Sequence, residues 1–134
     1  MGRTSNAVNI GDVRAAARRY LPGFLFDMIE GGVDGEEGLA LNEAAFSRYR
    51  LLPRYLVDVG RRSLETELFG QAYAMPFGIS PTGPAPLFRP DADLLLAGVA
   101  ERACVPFVLS GAAGATLEEA SRTAPGCCWF QLYT

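Results

Sequence analysis

The chain has 134 residues, 49% hydrophobic and 20% charged, with a formal net charge of −3. That composition fits one globular domain able to bury a core, and the charge is too small to mark nucleic acid or an anionic membrane surface as a partner. All 12 basic residues are arginine, so the chain offers no imidazole base and no amine nucleophile. Cys104, Cys127 and Cys128 form no C-x-x-C pair and have no neighbouring histidine, so no metal site and no disulfide framework are expected. The N-terminus carries no apolar leader core, and no stretch approaches the roughly 18 apolar residues of a membrane helix. Cytoplasm is the expected compartment.

Residues 1–11 read as frayed. Asp12 can cap a first helix through Val13, Ala16, Ala17 and Tyr20. Leu21-Pro22 breaks it, and a second helix from Gly23 to Glu30 stops at Gly31-Gly32. A third is expected from Glu37 to Tyr49, with Leu41, Ala44 and Ala45 on its inner stripe and Arg48 at the rim. Tyr55 to Val59 reads as a strand between Pro53 and Gly60, and Leu64 to Met75 as a short hairpin. Residues 1–75 are therefore taken as an N-terminal helical and hairpin extension.

From residue 76 the pattern becomes strand–helix alternation. Phe77 to Ser80 is a first apolar strand. Asp91 to Ala103 is a helix with the stripe Leu94, Leu95 and Val99. Pro106 to Leu109 is a second strand, and Thr116 to Thr123 a helix with Glu119 at the capping-box position. Cys128 to Leu132 is a third strand. Strands about thirty and about twenty residues apart, short and apolar throughout, fit successive βα units of a parallel sheet. The expected class is α/β. A small open sheet closed by the N-terminal strands is the alternative.

Candidate functional residues fall at the carboxyl ends of these strands, where α/β barrels place their sites. They are Pro81-Thr82-Gly83 after the first, Ser110-Gly111-Ala112 after the second, and Gln131 with Tyr133 at the end of the third. Gln131 and Tyr133 share a face, and an amide with a phenol there can bond a polar ring edge and a substrate oxygen. Each motif also has a plain reading as a turn, a tight loop or a sheet terminus. The Gly-rich stretch lacks the lysine of a phosphate loop.

Taken in order, these blocks carry a resemblance that no single one does. Leu21-Pro22, Phe26-Asp27, Gly31-Gly32, Asn42 to Phe46, Pro53-Arg54, Val57 to Val59, Met75-Pro76, Pro81 to Gly83, Leu109-Ser110, Leu117 to Glu119 and Phe130 to Tyr133 together resemble the FMN-dependent α-hydroxy-acid dehydrogenase/oxidase family. The spacing looks ungapped from about Asp12 to Thr134. The resemblance implies a helical extension followed by the first three βα units of a (β/α)8 TIM barrel, incomplete, with residues 76–134 as the barrel portion. It implies FMN as cofactor, with Pro81, Thr82, Gly83, Ser110 and Gln131 as flavin contacts and Tyr133 as the catalytic residue meeting the substrate hydroxyl. Gly rather than Ala at position 83 tilts the implied activity towards dehydrogenase over oxidase.

Two positions depart from the family pattern. Met28 stands where many relatives have a carboxylate-binding tyrosine, and Ala112 where many have a tryptophan. Both changes enlarge the pocket and make it more apolar, which implies a larger, more apolar 2-hydroxy acid or a decayed site. The histidine base, arginines and lysine of the family belong to later strands. The chain is therefore expected to be part of an enzyme oxidising a 2-hydroxy acid to a 2-oxo acid, inactive alone and holding FMN weakly. The alternative is a non-enzymatic or partner-dependent half-barrel, pairing with a complementary chain or with itself. A type 2 isopentenyl-diphosphate isomerase-like barrel is a third reading, opposed by the Gln-Leu-Tyr strand.

Overall fold

The computed structural model describes residues 6–133. The expected fraying of residues 1–5 lies outside them. The chain divides into two compact units, Met1–Asp58 and Val59–Thr134.

The first unit is helical. Helix α1 spans Ile10–Tyr20, α2 Gly23–Glu30 and α3 Glu37–Phe46. The cap of α1 is Asn9 rather than Asp12: the Asn9 side chain accepts the Asp12 N–H at 2.9 Å, and Asp12 accepts the Val8 N–H at 2.9 Å. Two side chains therefore satisfy donors at the frayable end, and the helix starts earlier than the apolar pattern suggests. An Arg14–Glu30 ion pair and Arg18, set 5.2 Å above the Phe26 ring, tie α1 to α2. Phe26 is the one buried side chain here among the described residues.

Helix α3 ends at Phe46, short of the expected Tyr49, because Ser47 and Arg48 close it with tighter bonds to the Ala44 and Ala45 carbonyls. Its expected inner stripe is not buried, and Leu41 is 63% exposed. The expected strand at 55–59 is irregular backbone, with Leu56 in the left-handed region at φ 58°, a conformation no strand accommodates.

The second unit holds the core. Strands β1 (Thr66–Leu68) and β2 (Gln71–Tyr73) form the expected hairpin, with Thr66 opposite Tyr73. Phe69 and Gly70 both have positive φ, as the two-residue turn compatible with strand twist requires. After it come α4 (Ala92–Ala103), β3 (Phe107–Leu109), α5 (Leu117–Thr123) and β4 (Cys128–Phe130). Strands β3 and β4 pair in parallel, Phe107 opposite Cys128. The expected first strand contributes a single parallel bridge, Ile79 to Phe107. Ile79 N–H donates to the Pro106 carbonyl at 2.8 Å, and Val108 N–H donates back to Ile79 at 3.0 Å. A Cβ on Gly78 would come within 2.5 Å of the Pro106 oxygen, so this close pairing needs glycine there. The parallel order is thus Ile79, β3, β4, the sequential order of a βα barrel wall.

Tyr73, Ala97, Ala100, Val105, Phe107, Leu109, Ala120, Ala124 and Cys127 make the core. The buried face of α4 is Asp93, Ala97 and Ala100, not the expected leucine stripe; Leu95 and Val99 are about half exposed. Small residues let the helix lie close on the sheet, and this contact outranks side-chain size. Helix α5 has the expected capping box: Glu119 N–H donates to Thr116 Oγ1 at 3.2 Å and Thr116 N–H donates to Glu119 Oε2 at 2.9 Å. The Trp129 Nε1–H donates to the Tyr73 hydroxyl at 2.9 Å, and the Trp129 ring lies 5.5 Å from that of Phe69, so the hairpin is fastened to β4.

Candidate functional site

Three segments converge where the parallel strands end. Ser110, 7% exposed, follows β3, and Gln131 follows β4, its N–H donating to the Leu109 carbonyl at 2.9 Å. The ladder thus fixes both side chains at the same level. Gly111 N–H donates to Gln131 Oε1 at 3.1 Å. A backbone amide can only donate, so this bond sets the amide orientation of Gln131.

The remaining bonds follow in sequence. Ala112 N–H donates to Ser110 Oγ at 3.1 Å, and Ser110 Oγ–H donates to Gln131 Oε1 at 3.3 Å. Gln131 Nε2–H donates to the Tyr133 hydroxyl at 3.0 Å. Tyr133 accepts in that bond, which leaves its own O–H free to donate, and its side chain is 73% exposed. The second Nε2 hydrogen of Gln131 is a further donor. One polar chain therefore runs from Ala112 to the exposed Tyr133 and retains donor capacity at that end, each bond polarising the next.

The turn after the first strand packs against this chain. A Cβ on Gly83 would come within 2.5 Å of Ser110 Oγ and 3.0 Å of the Ala112 Cβ. Thr82 is exposed and folds its hydroxyl back on the Ser80 carbonyl at 3.3 Å, while Pro81 is half-buried. Gly83, Ser110, Ala112, Gln131 and Tyr133 thus form one connected series, with Pro81 and Thr82 on the adjoining turn. Met28 belongs to the other unit, on α2, with 53% of its surface exposed.

Asp93 escaped the sequence reading. It is 3% exposed, and its Oδ2 accepts the N–H groups of Gly114 at 2.9 Å and Ala115 at 3.2 Å. An acid in a helix's first turn looks like a dipole-stabilising residue. The signal that marks it otherwise is its register with Ala97 and Ala100, on one helical stripe.

The Cys127 thiol is pushed up to about 11, first by burial and then by the Glu101 carboxyl and the Cys104 thiol, while burial also raises Cys128. All three cysteines are free, and no cluster of metal-ligating side chains occurs among the described residues. Among the same residues no helix is long and apolar enough to cross a membrane.

Donors after β4, beside Ser110 and the glycine turn at the two neighbouring strand ends, suit the polar edge of a flat heterocycle; they include no cation for a phosphate. The family model for FMN-dependent dehydrogenases matches residues 17–134. The chain is 41% identical to (S)-mandelate dehydrogenase of Pseudomonas putida over 130 residues, covering 97% of this chain and 33% of the relative. It is 36% identical to 4-hydroxymandelate oxidase of Amycolatopsis orientalis over 126 residues, covering 94% and 35%. The crystal structure of the monotopic membrane protein (S)-mandelate dehydrogenase superposes with a TM-score of 0.88 at 41% identity, covering 96% of this chain and 34% of that one. The chain belongs to the FMN-dependent dehydrogenase family, flavoprotein oxidoreductases with a TIM-barrel fold. It spans about a third of the length of the curated relatives it matches.

Proposed function

We propose that these residues form the first wall of the flavin and substrate site of an FMN-dependent 2-hydroxy-acid dehydrogenase. The observation that carries the reading is the Ser110–Gln131–Tyr133 hydrogen-bonded chain, with Gly83 packed on it at the strand ends. Pro81, Thr82 and Gly83 would lie along the ring, and Ser110 and Gln131 would bond its polar edge. FMN, when bound, supplies the two-electron acceptor. Tyr133, whose hydroxyl accepts from Gln131, would donate its own proton to the oxygen of the substrate hydroxyl carbon. That bond orients the substrate and stabilises negative charge as it develops on that oxygen.

Small side chains suit a bulky substrate. Ala112 leaves room beside Gly83, so an aromatic or otherwise large 2-hydroxy acid is preferred over lactate. Mandelate and hydroxymandelate in the names of relatives support that choice. Gly83 supports dehydrogenase over oxidase activity. The sequence contains neither His nor Lys, so these 134 residues supply no imidazole base and by themselves would not turn substrate over. The compartment proposed is the cytoplasm, supported by three free thiols. One relative is a monotopic membrane protein, and cell fractionation discriminates between a free and a membrane-bound state.

The test is Tyr133→Phe in flavin-loaded protein that also carries the later barrel strands and their base, with (S)-mandelate as substrate. Loss of one oxyanion-type donor should lower kcat by about 100-fold or more with FMN retained. An unchanged kcat would remove Tyr133 from the chemistry. A second reading, a half-barrel completed by another chain, is supported by β4: among the described residues it pairs with β3 alone, and Phe130 at its end and Leu132 just past it are exposed. A monomer by light scattering, with or without flavin, speaks against that reading.

A further inference from the structure

Asp93 is a buried carboxyl side chain with no part in the chemistry just described. It sits in the first turn of α4, 3% exposed, in line with the buried Ala97 and Ala100. A polar group so placed must find donors or destabilise the fold. Both of the donors it finds are backbone: one oxygen, Oδ2, accepts Gly114 N–H at 2.9 Å and Ala115 N–H at 3.2 Å. These amides close the loop that opens with Ser110.

That loop is held at three places. At its start, Ser110 continues the β3 strand and bonds Gln131. Near its far end, Gly114 lies so close to Pro86 that a Cβ there would come within 2.5 Å of the Pro86 Cγ. At its end, Asp93 takes the two amides. Pro86 lies on the short 3-10 turn Ala85–Leu87, directly after the Pro81–Pro84 segment. Loops after two successive strands are therefore locked to each other and to the helix between them.

We infer that Asp93 is a positioning residue for the flavin wall. By fixing the end of the Ser110–Ala115 loop it sets where Ser110 Oγ and Gly111 N–H stand relative to the Pro81–Gly83 turn and to Gln131. The inference rests on the FMN reading for its consequence, but the placement of the loop is measurable without flavin.

The experiment compares Asp93→Ala, Asp93→Asn and Gly114→Ala in the intact protein. FMN affinity and the bound-flavin absorption spectrum are measured with backbone amide exchange. Asparagine keeps one acceptor oxygen at the same reach, and both native bonds use one oxygen, so Asp93→Asn should stay within about threefold of the parent in FMN Kd. Asp93→Ala strands two amides, and should raise FMN Kd about tenfold and alter the flavin spectrum. It should also speed exchange at Gly111 and Ala112, beyond the two amides that lose their acceptor.

Gly114→Ala approaches from the opposite side. It leaves Asp93 in place but pushes the loop off Pro86, and should weaken FMN in the same direction. It decides the matter even where Asp93→Ala fails to fold. FMN affinity unchanged in Gly114→Ala, or Asp93→Asn as damaging as Asp93→Ala, overturns the inference. So does faster exchange confined to Gly114 and Ala115. If the parent protein binds no FMN, the proposed function fails, while exchange at Gly111 and Ala112 still decides whether Asp93 sets the loop.

Discussion

In the unit Val59–Thr134 the helices and parallel strands enclose a continuous core, with Ala97, Ala100, Ala120 and Ala124 fully buried. In the unit Met1–Asp58, Phe26 is the one buried side chain among the described residues, and Ile10, Phe24, Leu41 and Phe46 are largely exposed. Both units are rich in apolar residues. The difference lies in what those residues meet. Alanines at helix–strand contacts let backbones approach until dispersion contacts are dense, whereas larger side chains on short helices need a separate surface to bury against. Amphipathic pattern alone does not produce burial.

The sharpest test of that contrast sets Leu109→Ala against Leu41→Ala. Leu109 is 1% exposed and should lose about 2–5 kcal/mol of unfolding free energy on truncation. Leu41 is 63% exposed and should change it by no more than about 0.5 kcal/mol. Urea unfolding of the two variants measures both, and equal losses would dissolve the distinction between the units.

Gly83→Ala should come next. The added Cβ would displace Ser110 Oγ from 2.5 Å and unseat its bonds to Ala112 and Gln131. A buried hydroxyl deprived of partners costs about 1–3 kcal/mol, read by the same unfolding curves. Thr116→Ala removes the cap of α5 and should cost about 1 kcal/mol, with helix fraying visible in amide exchange at Glu118 and Glu119.

Two pH effects should be smaller and fall at opposite ends of the scale. The Cys127 thiol, raised from 9.0 to about 11, stays neutral in the folded state while the unfolded thiol ionises. Stability should therefore fall as pH rises from 9.0 towards 11, and Cys127→Ala should flatten that decline in thermal melts. Glu119 moves the other way. Its carboxyl is held below the usual value first by the Thr116 backbone bond, then by the Thr116 hydroxyl. That contribution is present above the unfolded carboxyl pKa and is lost as pH falls through the lowered one. Glu119→Gln should show a shallower acid limb than the parent.

What the sequence made legible was local. The Thr116–Glu119 capping box spans four residues, the hairpin turn two, and the parallel strands announce themselves as short apolar runs; all are decided by near neighbours. The convergence of Ser110, Gln131 and Tyr133 followed, because they stand just past strands that could be placed. What stayed hidden depended on distant partners. The inward face of α4 is set by closeness to the sheet, so its leucines mislead. Asp93 is explained by amides more than twenty positions away, which no window around it contains. Leu56 adopts a left-handed backbone that its branched, strand-compatible neighbours do not foretell.

The bond between Trp129 and Tyr73 has an optical consequence. The chain has a single tryptophan, so every photon of indole emission comes from the place where the hairpin meets β4. If the hairpin peels away while the sheet persists, the indole loses its oxygen partner and its Phe69 neighbour together. A red shift preceding loss of far-ultraviolet circular dichroism would time that detachment, with no label added to the protein.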